Sequence, residues 1–257
     1  MHRAPQMFTV KETGLLIVSH KYRFIFLRTR KTAGSSLDIA LSADLGPTDV
    51  VTPGLPREEA WRRQAGFVTA QNYHKRVNEL RPVDLGHALV VAAKRCIGAS
   101  NRTLWPMAYR NHTPAVRVRE LVGNDVWNSY FKFAVERNPW DFCVSLYAWK
   151  RRHKRGMSFG EFVAQGHPQR FAGSSVYCID GAPAVDMLVR FENLAEDLAA
   201  VSARIGLPNN LHERMCAVNA KHGLRRDTCY RDMYDAATKQ YIEDAFGGVI
   251  DHLRYSF

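Results

Sequence analysis

A lysine followed three residues later by a glycine is the feature of this sequence that most clearly suggests chemistry. Lys31 and Gly34 lie in the segment Lys-Thr-Ala-Gly-Ser-Ser, three residues after a largely apolar stretch over residues 22–27. Small residues at a strand-to-helix turn leave backbone N–H groups available, and the positive end of the helix attracts anions. The segment predicts a phosphate-binding loop. When this segment is considered alone, the alternative to a phosphate-binding loop is an ordinary tight turn between a strand and a helix.

A second candidate anion site begins at Arg137. Asn138 is a good N-cap residue, Pro139 suits the first position of a helix, and Asp141 suits the third, where its carboxylate faces the positive helix end. Arg137 then lies beside that helix end, and its fork of N–H donors suits a phosphate. Ser145 interrupts the apolar sequence of the helix. The alternative interpretation is that Arg137 is a surface cation. The hydroxyl of Ser145 would then lie in the core, bonded to the backbone of its own helix.

Each loop needs a strand before it and a helix after it, and the sequence predicts both. Residues 22–27 are rich in aromatic and β-branched residues and apolar on both faces, which favours a strand buried in a parallel sheet. Leu37, Ala40 and Leu41 then recur at helical spacing, and residues 131–147 repeat the same order of strand, turn and helix. Further predicted elements are a strand over residues 185–191 ending at Glu192, whose carboxylate is expected to cap the next helix, and a helix over residues 230–246.

The chain length of 257 residues fits one α/β domain over residues 1–257. Residues 44–111 contain Pro, Gly and several charged residues, and they are the part of the chain that looks most like an insertion into the domain. We expect this segment to surround the binding site for an acceptor molecule. No apolar run is long enough to span a membrane and no secretory leader is visible, which predicts a cytoplasmic protein. The five cysteines are scattered without metal-ligand spacing and are expected to be reduced thiols.

The order of residues in the first loop separates two kinds of phosphate site. The P-loop of kinases and ATPases has the pattern GxxxxGK[ST], in which the lysine follows the last glycine, whereas Lys31 precedes Gly34. A nucleotide triphosphatase also needs a carboxylate for magnesium at the end of a second strand, and no persuasive candidate is visible. An ATP-dependent kinase is therefore the second choice of enzyme.

The segment from Lys31 to Ser36 resembles the 5′-phosphosulfate loop of sulfotransferases that use 3′-phosphoadenosine 5′-phosphosulfate (PAPS). Arg137 and Ser145, eight positions apart before and within a proline-started helix, match the 3′-phosphate motif of the same family. The resemblance is closest to the branch that sulfates carbohydrates, both Golgi-type and bacterial, and extends to residues 49–63, 112–127, 188–194 and 253–257. It implies a P-loop-kinase-like fold, with a central parallel sheet flanked by helices. One departure is Arg30, where many relatives have proline.

The resemblance also implies roles for individual residues. Lys31 would neutralise the leaving phosphate oxygen, and no metal would be required. The 5′ end of the donor would be held by Thr32, Ala33, Gly34, Ser35 and Ser36, and its 3′-phosphate by Arg137 and Ser145. His112 is the expected general base, with His87, Glu58 and Glu59 as alternatives. An alternative role for His112 is entry to a helix, because Thr113 and Pro114 suit the N-cap and the first helical position. The basic residues 219–226 would form a lid over the nucleotide, or else a solvated loop.

The charge of the protein predicts an anionic partner. Thirty-six Lys and Arg residues against twenty-five Asp and Glu residues give a net charge of +11. Such a field would attract PAPS, its product 3′,5′-adenosine bisphosphate (PAP) and an acidic glycan acceptor. A nucleic acid is the rival partner, but no aromatic-basic motif indicates one and none is expected. The basic run over residues 150–155 has a simpler alternative, since cations at a helix C-terminus are stabilised by the helix dipole.

Overall fold

A five-stranded sheet forms the centre of the fold. The computed structural model describes residues 16–96, 105–110, 112–151, 156–218 and 229–257. The strands of the sheet, in chain order, are β1 (Leu16–Ser19), β2 (Phe24–Leu27), β3 (Val50–Val51), β4 (Phe131–Glu136) and β7 (Met187–Arg190). The short strands β5 (Cys178–Ile179) and β6 (Ala182–Pro183) form a separate antiparallel pair.

Helices occupy most of the remaining described chain. They are α1 (Gly34–Leu41), α2 (Pro56–Gln64), α3 (Pro82–Cys96), α4 (Ala115–Val122), α5 (Asn124–Ser129), α6 (Pro139–Arg151), α7 (Phe159–Ala164), α8 (His167–Arg170), α9 (Ser174–Tyr177), α10 (Leu194–Ile205), α11 (Leu211–Val218) and α12 (Ala236–Leu253). Short 3-10 turns cover Val77–Glu79, Phe191–Asn193 and Tyr230–Met233. The predicted strand over residues 185–191 is therefore shorter than expected, and the predicted helix over residues 230–246 begins with a 3-10 turn.

The sheet is mixed, with the order β3-β1-β2-β4-β7. Strands β2, β4 and β7 are mutually parallel, whereas β1 is antiparallel to both β2 and β3. The α/β class with flanking helices is confirmed, but the expectation that the whole sheet is parallel is wrong. The cause is a tight turn between Ser19 and Phe24, which pairs β1 with β2 as a hairpin.

The hairpin turn is held by a carboxylate from a distant part of the chain. Asp49 is buried, and its Oδ1 accepts from the backbone N–H groups of His20 at 2.7 Å and Lys21 at 3.1 Å. Its Oδ2 accepts from the hydroxyl of Ser19 at 2.8 Å. Arg23 completes the turn with a positive φ of 54°. The antiparallel pairing of β1 with β2 therefore depends on Asp49, which lies outside the local sequence of the hairpin.

Both faces of the sheet are buried. On one face, Phe26 and Phe133 stack with ring centroids 4.9 Å apart and pack with apolar residues of α1, α10 and α11. On the other face, Ile25 and Ala134 pack with residues of α4 and α9. A third apolar cluster joins α6, α7 and α12. Because β2 and β4 are covered on both sides, the loops that follow them start from a rigid edge. No helix in the described ranges is both long and apolar enough to cross a membrane.

Candidate functional site

The two predicted anion-binding loops lie side by side. Strands β2 and β4 are parallel neighbours in which Leu27 pairs with Ala134, so both loops leave the same edge of the sheet. The two loops are also directly bonded, because Nη1 of Arg137 donates to the backbone carbonyl of Lys31 at 2.9 Å. Carboxyl ends of parallel strands are the usual place for ligands in sheets of this kind. The structure thus brings together the two segments that the sequence analysis selected separately.

The backbone of the first loop is bent sharply. Lys31 and Ala33 have positive φ values of 63° and 55°, a region that residues with side chains seldom adopt. Ala33 is the N-cap of α1, and its carbonyl accepts from the N–H groups of Ser36 and Leu37 at 3.1 and 3.3 Å. Ala33 itself makes no side-chain hydrogen bond to the start of the helix. The first N–H groups of α1 are therefore suited to bind an anion.

A buried arginine that the sequence analysis missed holds this loop in place through contacts with the start of α1. Arg28 forms an ion pair with Asp38, and its Nη2 donates to the hydroxyl of Ser35 at 3.1 Å. Gly34 permits this arrangement, because a Cβ atom at this position would lie 2.4 Å from Nε of Arg28. The sequence feature that could have revealed this ion pair is an arginine at the end of an apolar strand, followed by an aspartate on the buried face of the next helix. The hydroxyl of Ser35 thus has an internal partner.

Thr32 is also turned inward, being 2% exposed. Its hydroxyl lies 3.0 Å from Oγ1 of Thr29, which in turn donates to the carbonyl of Val135 in β4. These contacts fix the loop against the neighbouring strand. Of the predicted 5′-end residues, Thr32 and Ser35 have their side chains in internal contacts, so they would contribute backbone N–H groups to a ligand. Ser36 and Lys31 are half-buried.

The second loop presents Arg137 in a fixed orientation. Its Nε and Nη2 donate to Oδ2 of Asp141 at 2.8 and 2.6 Å, and its guanidinium lies 4.3 Å from the ring centre of Phe191. With the bond to the Lys31 carbonyl, these contacts use three of the five N–H groups of a guanidinium, and the other two have no hydrogen-bond partner among the described residues. Ser145 is half-buried and lies one helical turn beyond Asp141 on the same face of α6.

Asn138 caps α6 as predicted. Its Oδ1 accepts from the backbone N–H of Trp140 at 3.1 Å and more weakly from that of Asp141 at 3.5 Å. The amide also has a second function, since its Nδ2 donates to the backbone carbonyl of Ser256 at 3.1 Å. The capping residue therefore joins the start of α6 to the segment that follows α12.

Glu192 has a different role from the predicted one. Instead of capping the helix that follows it, its Oε1 accepts from the backbone N–H of Asn138 at 2.8 Å. Its Oε2 accepts from the hydroxyl of Tyr255 at 3.0 Å. This carboxylate thereby connects the ends of β7 and β4 next to Arg137.

A second buried carboxylate in this region, Glu136, was not selected from the sequence. It accepts from the backbone N–H of Arg137 at 3.0 Å and from the hydroxyl of Tyr177 at 2.7 Å. Burial raises the pKa of Glu136 to about 7, an effect that these hydrogen bonds only partly offset. A Cβ atom on Gly173 would lie 2.5 Å from its Oε2. Only the tertiary structure shows that this strand-end glutamate is enclosed.

His112 is held beside the first loop. Its Nδ1 lies 2.9 Å from the backbone carbonyl of Arg28, and because a carbonyl only accepts, Nδ1 carries the proton and Nε2 is the available acceptor. Burial, together with the positive charges of Arg30 and Arg28, lowers the pKa of His112 to about 3. An anionic ligand near Arg30 would raise this pKa. Thr113 does not cap α4, because Pro114 is the N-cap and the Thr113 hydroxyl bonds to Arg110 instead.

The alternative bases are placed less favourably. Both oxygens of Glu59 accept hydrogen bonds, from Gly54 N–H at 2.8 Å and from Ala70 N–H at 3.1 Å. Glu58 is 1% exposed, and its Oε2 accepts from Leu55 N–H. These contacts give both glutamates structural roles around the start of α2. The side chain of His87 and the predicted lid at residues 219–226 lie outside the described residues.

The comparisons with known proteins give one relative. The chain is 36% identical over 111 residues to an uncharacterized protein of Archaeoglobus fulgidus, a match that covers 40% of this chain and 89% of that protein. No family model matches the sequence, and no solved structure matches it. The chemistry of the site must therefore be argued from its own side chains.

Proposed function

Because the chain belongs to the same family as this uncharacterized archaeal protein, whose name states no activity, we propose its function from the site. It transfers a sulfuryl group from PAPS to a hydroxyl group of a carbohydrate, through a P-loop-kinase-like nucleotide site. We place the protein in the cytoplasm, where its scattered cysteines stay reduced. PAP is the expected product.

The bond between Arg137 and the Lys31 carbonyl is the observation that carries this proposal. PAPS has anionic groups at both its 3′ and 5′ positions, so its binding requires two adjacent anion sites. The start of α1 and the two remaining N–H groups of Arg137 supply such a pair. A site for a single phosphate would need only one of them.

The proposed reaction assigns one task to each group. Transfer forms a bond between the acceptor oxygen and sulfur and breaks the bond between sulfur and the bridging phosphate oxygen. Lys31 supplies positive charge where the phosphate oxygen becomes negative, and the α1 N–H groups orient the donor. Nε2 of His112 accepts the hydroxyl proton, because Nδ1 is held by Arg28. Arg28, Asp38 and Glu192 keep these groups in place.

The experiment that tests this function is titration calorimetry with PAP, with and without magnesium, beside ATP with magnesium. We expect PAP to bind independently of magnesium and to bind at least tenfold more weakly to the Arg137→Ala variant. Arg204→Ala is the matched control, because Arg204 also stacks on a phenylalanine, Phe131, but at the opposite end of β4.

Two outcomes would overturn the proposal. Binding of magnesium-ATP without binding of PAP would favour the kinase, and binding of neither nucleotide would favour a nucleic-acid-binding protein. If PAP binds as expected, labelled PAPS and a panel of glycans then identify the acceptor.

A further inference from the structure

Helix α3 turns its apolar face toward solvent. Among the side chains of α3 that the structure describes, the exposed ones all lack charge and lie on one continuous arc of about 160° at ~100° per residue. They are Pro82, Val83, Leu85, Gly86, Leu89, Val90, Ala93 and Cys96. Val91, on the opposite side, is buried. A surface helix normally has the reverse arrangement, so this face indicates a binding surface.

The exposure of this face is large. Val83 and Leu89 are each 72% exposed, and Leu85 is 58% exposed. Val77, in the 3-10 turn that precedes the helix, is 75% exposed. Such a run of exposed large apolar side chains costs free energy in water, at about 25 cal/mol per Å² of apolar surface. A partner that covers it would recover that free energy.

A partly exposed tryptophan lies near the first turn of α3. Nε1 of Trp105 donates to the backbone carbonyl of Lys75 at 2.8 Å, and Nζ of Lys75 donates to Asp84 in the first turn of α3 at 2.7 Å. The Trp105 side chain is 44% exposed. Tryptophan is enriched where proteins meet the boundary between water and lipid. The two hydrogen bonds of Lys75 place the indole near the first turn of α3, on the side of Asp84.

The charge around the surface favours an anionic partner. Residues 75–96 contain five Lys and Arg residues and two acidic residues, a net charge of +3. Both acidic residues accept backbone N–H groups locally, Glu79 from Arg76 at 2.9 Å and Asp84 from Arg81 at 2.9 Å. A second copy of the chain would bring the same positive segment and a net charge of +11 to the contact. Two copies would repel each other, whereas an anionic surface would attract this one.

We propose that the exposed face of α3, with Val77 just before it, binds the surface of a lipid bilayer that contains anionic lipids. The helix lies in the plane of the interface, with its apolar arc among the acyl chains near the headgroups and the surrounding arginines at the phosphates. This attachment is peripheral, and it does not depend on the activity proposed for the nucleotide site.

Vesicle co-sedimentation tests this inference with the full chain. We expect strong binding to vesicles of phosphatidylcholine mixed with phosphatidylglycerol and at least tenfold weaker binding to phosphatidylcholine alone. The double variant Leu85→Gln/Leu89→Gln should lose at least tenfold in affinity for the anionic vesicles. The control Val116→Gln/Met233→Gln, which changes two exposed apolar residues elsewhere (40% and 37% exposed), should bind as the parent does. Circular dichroism verifies that both variants are folded.

Three results would overturn the inference. The first is absence of binding to anionic vesicles, and the second is equal binding by the folded Leu85→Gln/Leu89→Gln variant. The third is a dimer, detected by light scattering without lipid, that this variant converts to a monomer, because the face would then bind a second copy. An Arg76→Gln/Arg81→Gln variant that binds anionic vesicles at least threefold more weakly would support the charge argument.

Discussion

Glu192 accepts the backbone N–H of Asn138 across 2.8 Å, and this bond joins the ends of two neighbouring parallel strands directly beside Arg137. The orientation of the candidate 3′-phosphate site therefore depends on a residue 54 positions away in the sequence. Asn138 also caps α6 and bonds to Ser256, so several parts of the fold meet at one side chain.

Replacement of Asn138 should separate these contributions. Asn138→Ala removes both the cap and the bond to Ser256, and we expect a loss of about 2 kcal/mol in unfolding free energy. Asn138→Ser retains a capping oxygen and should cost about half as much. Urea denaturation measures both values. Equal losses for the two variants would mean that the cap contributes little.

Lys31→Met should affect the chemical step more than donor binding. The variant keeps the length of the side chain but removes its charge, so PAP affinity should change only severalfold while turnover falls about a hundredfold or more. Calorimetry and a sulfuryl-transfer assay measure the two quantities separately. Unchanged turnover would remove the role assigned to the lysine.

Gly34→Ala should destabilise the first loop. The new Cβ atom would displace Arg28 from its buried pair with Asp38, at an expected cost of about 1–3 kcal/mol. Gly160→Ala is the control, because a Cβ atom at this helical position meets nothing within 4 Å and alanine favours a helix. Thermal unfolding should show a lower melting temperature for the first variant and an equal or higher one for the second.

The pH dependence of the free enzyme should show no titration of His112 near neutrality. The pKa of His112 is lowered to about 3, so the imidazole is already uncharged above pH 5. We therefore expect kcat/KM to lack an inflection from this residue between pH 5.5 and 8. His112→Ala should reduce kcat by about a hundredfold or more while PAP binding is retained. Full activity of that variant would exclude His112 as the base.

Glu136 should make the protein less stable as the pH rises. Its pKa is raised from 4.5 to about 7 in the folded state, so the folded protein retains a proton that the unfolded chain releases. The contribution is complete below pH 4.5 and is lost as the pH passes through 7. It amounts to at most roughly 3 kcal/mol.

Glu136→Gln cannot ionise and should remove this trend. The difference in unfolding free energy between the parent and the variant should decrease steadily from pH 4.5 to pH 8, as measured by urea denaturation at each pH. A constant difference would show that Glu136 has an ordinary pKa.

Local sequence signals predicted the parts of the fold that local interactions determine. The start of α6 was predictable because Asn138, Pro139 and Asp141 act within one helical turn. The two loops were predictable from small residues and cations after apolar strands. The hairpin of β1 and β2 was not, because its turn is held by Asp49, some thirty residues away.

The same distinction applies within the site. Arg28 and Glu136 look like ordinary charged residues at the ends of strands, and only burial by α1 and α9 gives them their structural importance. Glu192 was assigned to its own helix, since the sequence does not show that β7 lies next to β4. Sequence reasoning thus selected the groups that can bind an anion and missed those that hold them.

The contacts of residues 255–257 determine when the site can form during synthesis. Tyr255 bonds to Glu192, Ser256 bonds to Asn138, and Phe257 packs on Trp140 with ring centroids 5.6 Å apart. These contacts are absent while residues 255–257 are still inside the ribosomal exit tunnel. The sheet can assemble co-translationally, but the Arg137 loop reaches its final geometry only after translation has passed residue 257 and this segment has emerged.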